Sequence, residues 1–193
     1  YEQPREDRVY VVGVDVSRGE NLDYSAFSVV DASEFPYKQV AKYRSSAIST
    51  LLYPSIIASV ATKYNEAYVL IEVNGIGQQV SDILHGEIEY ENVVLITSKG
   101  RAGQVFDGGF GTGTTQTGIT MSKKVKQIGC SMLKNMIEDE KLIINDFDTI
   151  SELSSFVSKA QSYEADAGCH DDLVMSLLLF AWLSSQPHFK EIT

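Results

Sequence analysis

Hydrophobic positions recur along this chain with two different periods, and each change of period marks a new element. Residues 9–16 are a dense run of valine and tyrosine that reads as a strand buried on both faces. Past a turn at Asn21-Leu22-Asp23-Tyr24, residues 25–31 (SAFSVVD) form a second strand, near enough in sequence to lie beside the first as in a hairpin. Phe35-Pro36 breaks the chain, and residues 37–44 (YKQVAKYR) alternate like an edge strand with one wet face. Three strands in succession predict an antiparallel meander at one side of a sheet.

The period then switches. Leu52, Ile56, Ile57, Val60 and Ala61 recur at helical spacing within residues 49–64, where Pro54 is tolerated in the first turn alone. Residues 68–73 (YVLIEV) return to a buried strand, followed by Asn74-Gly75-Ile76-Gly77, a helix over 78–84 and a strand over 92–97 (NVVLIT). That alternation implies parallel strands joined by crossover helices. Residues 99–118 have no periodicity and are dominated by glycine and threonine, which predicts a long surface loop of the functional or disordered kind. An amphipathic helix follows over 120–138 with Thr120 or Ser122 as its N-cap, then a short extended piece at 141–145, a helix at 148–155 and a strand or arm at 156–163. The last helix, 170–185, is apolar on nearly all faces and so is expected to be deeply packed. This order of elements fits an α/β protein with a ribonuclease H-like mixed β-sheet and helices on both faces.

A chain of 193 residues is long enough for one domain with its own core, here spanning residues 1–193. Residues 1–8 (YEQPREDR) read as a polar lead-in of the kind that follows an upstream domain. The formal net charge of −10 argues against a protein that coats nucleic acid. It does not argue against an enzyme acting on DNA, because clustered acids hold divalent cations that neutralise the local field. Cys130 and Cys169 lack metal or redox spacing and fit a reducing compartment. The apolar run at 173–183 is too short to span a bilayer, so no membrane partner is expected.

The chemistry is expected at the acids that end apolar segments. Asp15 closes the first strand, Glu72 closes the fourth, and Asp171-Asp172 opens the last helix. A carboxylate in such surroundings is expensive unless a metal ion or hydrogen bonds compensate it, and sites in open α/β sheets form beyond the carboxyl ends of strands. If the first and fourth strands are neighbours, Asp15 and Glu72 converge. Mg2+ or Mn2+ takes hard oxygen ligands and keeps several waters, so two or three carboxylates suffice for one ion or two. Two ions about 4 Å apart activate a water and stabilise the leaving oxygen in phosphodiester hydrolysis. The competing reading of each acid is a turn residue, a helix cap or a solvated charge. It has least force for Glu72, since glutamate is disfavoured in a buried strand. Adjacent helix positions lie about 100° apart, so Asp171 and Asp172 cannot both face the site. Asp172 is the expected ligand and Asp171 the expected cap or supporting acid. Asp23 is a weaker candidate better explained by its turn, and His170 either orients a water or packs, while His85 and His188 read as surface residues. The stretch GGFGTGTTQTG lacks the Gly-Lys-Ser/Thr ending of a nucleotide-binding loop. Flanked by Lys99, Arg101, Lys123, Lys124 and Lys126, it suits sequence-neutral contacts to a DNA backbone; the alternative for each lysine is a solvated face.

VVGVDVSRG, VLIEVNGIG and CHDDLVMSLLLF, in this order, resemble one family: the C-terminal nuclease domain of the large terminase subunit of tailed bacteriophages, in particular the T-even-type group. The resemblance runs from Val9 to the end of the last helix. It implies a metal-dependent endonuclease that cuts concatemeric viral DNA during genome packaging, with a Mg2+- or Mn2+-binding triad of Asp15, Glu72 and one acid of the Asp171-Asp172 pair. It further implies an N-terminal ATPase domain in the same full-length chain, double-stranded DNA as substrate, and the phage portal and small terminase subunit as partners at the prohead in the host cytoplasm. The residues in hand hold no ATPase motif. Three rivals remain at this stage. A junction resolvase or transposase-like enzyme shares the acidic site, an actin-like ATPase needs a second lobe, and a non-catalytic module gripping DNA or portal predicts no metal binding.

Overall fold

The computed structural model describes residues 1–17, 23–108, 113–159 and 162–193; the expected turn at Asn21-Leu22 and residues 109–112 of the expected loop lie outside these. In chain order the first half comprises β1 (Tyr10–Asp15), β2 (Ser25–Asp31), β3 (Tyr37–Ser45), α1 (Tyr53–Lys63), β4 (Tyr68–Ile71), α2 (Gly77–Asp82), β5 (Leu95–Lys99), β6 (Gly103–Val105) and β7 (Thr114–Thr117). The second half comprises α3 (Lys123–Glu138), β8 (Leu142–Ile143), α4 (Phe147–Ser155), β9 (Phe156–Lys159), β10 (Ser162–Ala165), α5 (Asp172–Ser184) and α6 (Phe189–Ile192).

The main sheet has the order β4-β1-β2-β3-β8. Strands β1, β2 and β3 form the expected antiparallel meander, with a bulge between Val29 and Val30, and β4 runs parallel to β1. The structure corrects two sequence-based expectations here. β3 is not a free edge, because β8 pairs in parallel with Tyr37 and Lys38, and the backbone N–H of Glu2 reaches the Val40 carbonyl at 3.1 Å. The lead-in 1–8 is thus tied to the domain, with the Tyr64 hydroxyl donating to the Glu2 carbonyl at 2.8 Å. The second correction concerns 99–118. The strand expected at 92–97 begins at Leu95, touches β4 in parallel through a Val69–Val93 bridge, and then pairs antiparallel with both β6 and β7. Within the described part of the glycine- and threonine-rich segment, β6 and β7 are therefore strands of a small sheet around β5. Its threonines pair across strands, Thr97 with Thr115 at 3.3 Å between hydroxyls, because a β-branched side chain suits a strand even in a polar sequence.

Each face of the main sheet carries its own core. Tyr10, Val12, Val14, Phe27, Val29 and Ile71 pack with Tyr53, Ile57 and Ala61 of α1 on one side. Val11, Val30 and Leu70 pack with α5 and α3 on the other. Pro54 sits in the first turn of α1, Ser122 Oγ caps α3 by accepting from the Val125 N–H at 3.2 Å, and Asp146 caps α4 through Thr149 at 2.8 Å. β9 and β10 form a hairpin, stacking Phe156 on Tyr163. α5 is the central helix, with every residue from Asp172 to Leu183 buried. At about 1.5–3 kcal/mol per large apolar side chain, the run Leu177-Leu178-Leu179-Phe180 contributes strongly to holding it there.

One contact sets where that helix lies. A Cβ on Gly13 of β1 would stand 2.1 Å from the Ser176 carbonyl oxygen, so the α5 backbone rests directly on the strand. The Ser176 hydroxyl meets the Ser28 hydroxyl of β2 at 2.7 Å in the same place. From that contact Asp15 is two residues along the same strand face, about 6.6 Å, and Asp172 is four residues back along the helix, about 6 Å. Gly13→Ala is expected to force α5 outward and cost about 1–3 kcal/mol. Urea unfolding of the two proteins measures this, and an unchanged midpoint would show that the helix is not held at Gly13.

Candidate active site

The pleat of the sheet brings the first two acids together. Gly13 pairs with Leu70 and Val14 with Ile71, and the Glu72 N–H donates to the Val14 carbonyl at 3.0 Å. Two residues beyond the Gly13–Leu70 pair, Asp15 and Glu72 stand side by side on the α5 face of the sheet. A Cβ on Gly77 would lie 1.9 Å from the Glu72 carbonyl oxygen, so the start of α2 packs against the backbone of that acid. Asp172 arrives from α5. Its Oδ1 accepts from the Tyr24 N–H at 3.1 Å, while its Oδ2 is buried and has no hydrogen-bond partner.

The electrostatics report the same convergence. Asp15 retains some accessible surface, yet burial pushes its pKa well above the carboxylate range, followed by repulsion from Glu72, Asp172 and Asp171. Burial raises Glu72 to about 7, with Lys126 pulling it down and Asp171 pushing it up. Burial raises Asp172 to about 6; the Tyr24 N–H opposes the shift and Glu152 and Asp171 add to it. Asp15, Glu72, Asp171 and Asp172 thus form an acidic cluster linked by electrostatic repulsion at one end of the sheet.

The donor set fits a hard, hydrated ion rather than a closed cage. Among the described residues, no group of three or more histidine, cysteine, aspartate or glutamate side chains is placed so that it could hold a metal ion as the side chains stand. Mg2+ and Mn2+ need few direct protein ligands because retained waters complete their shell. The unpartnered Asp172 oxygen and the raised pKa values of its neighbours are what such an ion would relieve.

The other expected residues divide. Asp171 is the N-cap residue of α5 by position, but its carboxylate makes no capping bond and accepts instead from the Ala165 N–H of β10 at 3.3 Å. The expected capping role therefore fails for its side chain. His170 packs edge-on against Tyr24 with ring centroids 4.9 Å apart, and its Nδ1 lies 3.9 Å from Asp172 Oδ2. Asp23 is exposed, and its carbonyl accepts from Ser17 Oγ. Lys126 reaches the site electrostatically, with its ammonium 6.0 Å from the Phe156 ring centre. Lys123 and Lys124 open α3 beside it, with Lys124 Nζ close to Gly103 of β6. Lys99 is drawn into an ion pair with Asp107 at 2.5 Å, and Arg101 is exposed. His188 is not a plain surface residue: its ring packs on Phe106 and its Nδ1 meets Glu191 at 2.6 Å.

Three residues near the acids carry no expectation from the sequence. Glu152 is buried and accepts the N–H groups of Leu173 and Val174, Arg44 pairs with it, and the Tyr53 hydroxyl is buried without a partner within electrostatic reach of Asp15. The available signal for Glu152 was its place three residues after Thr149, on the buried stripe of α4.

A mixed sheet of this order, carrying acids at the ends of adjacent strands and at the start of a central helix, defines a protein of the ribonuclease H-like class. The chain belongs to the Terminase RNaseH-like domain family, whose model matches residues 12–183. It is 24% identical over 183 residues to the large terminase subunit of Thermus phage G20c and, to the same extent, to that of Thermus virus P23-45. Those matches cover 92% of this chain and 32% of each relative, so the chain spans about a third of the length of the curated relatives it matches. Among solved structures it resembles the large terminase nuclease of thermophilic phage G20c with bound magnesium, with a TM-score of 0.70 and 24% identity over 94% of this chain and 84% of that one. The human cytomegalovirus terminase nuclease domain, Mn soaked, shares the fold at a TM-score of 0.55 and 9% identity, over 96% of this chain and 85% of that one.

The raised acids make a prediction about pH. A carboxyl whose pKa is higher in the folded than in the unfolded chain adds stability below the ordinary carboxylate range and loses it as pH rises through the folded value. For Glu72 that window runs from the usual 4.5 up to about 7. In chelator, Glu72→Gln is expected to melt higher than the native chain at pH 8 and to lose that advantage near pH 5. Melting curves across this range test it, and parallel curves for the two proteins would remove Glu72 from the buried acid cluster.

Proposed function

We propose that this chain is the nuclease portion of a large terminase subunit, a metal-dependent endodeoxyribonuclease that cuts concatemeric viral DNA during genome packaging. The observation that carries the reading is a buried Asp172 oxygen without a hydrogen-bond partner, on a carboxylate within electrostatic reach of the strand-end acid Asp15. The G20c nuclease is described with magnesium, cobalt or zinc bound, and the cytomegalovirus domain after a manganese soak, which supports a divalent cofactor here, Mg2+ or Mn2+ as one or two ions.

In this reading Asp15, Glu72 and Asp172 would hold the metal, which when bound would supply Lewis-acid activation of a water and charge stabilisation at the leaving oxygen. The protein supplies the rest. The parallel pairing of β1 with β4 fixes two carboxylates side by side, and the Tyr24 N–H holds one oxygen of Asp172 so that the other stays turned to the site. Asp171 ties the β9–β10 hairpin to the start of α5. Lys123, Lys124 and Lys126 gather in the first turns of α3, where the helix N-terminus adds its own partial positive charge, and together they attract a phosphodiester toward an otherwise acidic chain. Arg101 extends that face, whereas Lys99 reaches it only by giving up Asp107. Double-stranded DNA is the proposed substrate. The proposed partners are an N-terminal ATPase domain in the same full-length chain, the portal and the small terminase subunit, at the prohead in the host cytoplasm. No helix among the described residues is long and apolar enough to cross a membrane.

Plasmid cleavage tests the reading. With Mg2+ or Mn2+, the native chain is expected to nick and linearise supercoiled DNA, and chelator is expected to abolish both. Asp15→Asn and Glu72→Gln, verified as folded, are expected to lose at least about a hundredfold in rate, on the scale of losing a carboxylate that holds the catalytic charge. A folded Asp15→Asn chain cutting at the native rate would exclude the strand-end acids as the catalytic set and favour a DNA- or portal-gripping module.

A further inference from the structure

One buried acid beside the site is unused by the reaction just described. α5 opens with two aspartates, residues well suited to cap its own first turn. Neither does so: Asp171 bonds the Ala165 N–H and Asp172 bonds the Tyr24 N–H. The free N–H groups of Leu173 and Val174 instead go to Glu152 Oε2, from α4, at 2.7 and 3.3 Å. The other oxygen of Glu152 receives Arg44 Nη1 at 2.8 Å, and the Arg44 guanidinium lies 4.7 Å from the centre of the Tyr24 ring. Tyr24 is the residue whose backbone N–H fixes Asp172 Oδ1.

We propose that Glu152, working with Arg44, is the positioning residue of the metal site: its carboxylate takes over the capping of α5 and so frees Asp171 and Asp172 for other work. The inference rests on the nuclease reading of Asp172. Two arms leave one buried carboxylate. One grips the helix that carries Asp172, and the other steadies, through Arg44, the tyrosine that orients Asp172. Capping alone is a poor explanation. A serine at position 171 would cap α5 locally, without burying a third acid beside two others at 5% exposure and without a paired arginine to offset it. The arrangement makes sense where the local acids are needed elsewhere. Outer groups that orient metal-binding carboxylates typically change metal affinity ten- to a hundredfold when removed.

The test is Mn2+ binding by calorimetry on the native chain, Asp172→Asn, Glu152→Gln and Arg44→Gln, with circular dichroism for folding and anisotropy for DNA affinity in chelator. Native protein is expected to bind Mn2+ and Asp172→Asn to lose it. Glu152→Gln is expected to bind Mn2+ at least about tenfold more weakly with unaltered DNA affinity, and to regain its cleavage rate at raised Mn2+. Arg44→Gln is expected to move the same way by several-fold. A folded Glu152→Gln chain with native Mn2+ affinity would reduce Glu152 to a helix cap and overturn the proposal. Should Glu152→Gln fail to fold, Arg44→Gln decides alone, and native affinity in that variant overturns it equally. A native chain that binds no Mn2+ is a separate result: it removes the nuclease reading itself, and the proposal with it.

Discussion

The close approach of α5 to β1 is the constraint on which the rest of the structure depends. A helix packed on a sheet through ordinary side chains stands about 10 Å away, too far for short aspartates on both to share a cation. Gly13 removes the intervening side chain, and the Ser176 carbonyl occupies the space a Cβ would take. Ser28 and Ser176 then satisfy each other in the same dry layer, and Gln39 continues the polar chain to Thr149 of α4. Strand pleat and helix rise do the remainder, since Asp15 and Asp172 lie at nearly equal distances from that single point. Gly129 performs the matching service on the outer side, where a Cβ would fall 2.5 Å from a methyl of Leu178, so α3 and its lysines are also drawn inward.

That geometry has an electrostatic cost which the fold meets in unequal parts. Burial and mutual repulsion oppose ionisation of Asp15, Glu72 and Asp172 together. A lysine and an arginine act on these acids or their neighbours. Lys126 favours the charged form of Glu72, and Arg44 is committed to Glu152. One buried acid elsewhere in the chain is treated differently. Desolvation opposes the charge of Asp146, but hydrogen bonds from Thr149, Tyr1 and Lys42 outweigh it and bring its pKa down to about 2. The contrast between the lowered pKa of Asp146 beneath α4 and the raised pKa values at the strand ends is the pattern expected of a functional site, and under the proposed function a cation would relieve it.

The architecture was legible because periodicity survives in a single sequence: the meander, the crossover helix and the apolar central helix all appear where hydrophobic spacing placed them. Asp15 and Glu72 stood out for the same reason, each ending an apolar run, and the parallel pairing of β1 with β4 sets the ends of those two runs beside one another. Residues 99–118 misled because glycine and threonine are polar in composition while threonine is a strand former in geometry, and cross-strand partners are invisible before the fold is known. Glu152 and Arg44 were hidden for a related cause. Each sits in an unremarkable amphipathic stretch, and its importance arises from partners 21 and 108 residues away. Asp171 was expected either to cap α5 or to support the site; the capping rules that hold for Ser122 and Asp146 were overridden at α5 by a carboxylate from another helix.

The same conflict between local preference and site chemistry recurs at the start of α3. Lys123 and Lys124 occupy its first turn with no acidic residue, and Lys126 follows at once. Cations there oppose the helix dipole, each at a cost of about 0.3–1 kcal/mol when exposed, so local stability would favour acids. Acids would be plentiful, given a net charge of −10. In the proposed reaction the reversal has a purpose: a phosphodiester must approach a cluster of carboxylates through a field that is repulsive at long range. Ammonium groups and helix N–H dipoles would together supply a local attraction for phosphate, and of the three lysines Lys126 acts electrostatically on Glu72. Specificity for the backbone over the bases follows from the same choice of donors, since lysines and main-chain amides recognise phosphate and carry no base code. Under the proposed function the strand-end acids and the lysine-rich helix start would act as two halves of one electrostatic device, and the Gly13 and Gly129 contacts bring the elements that carry them together.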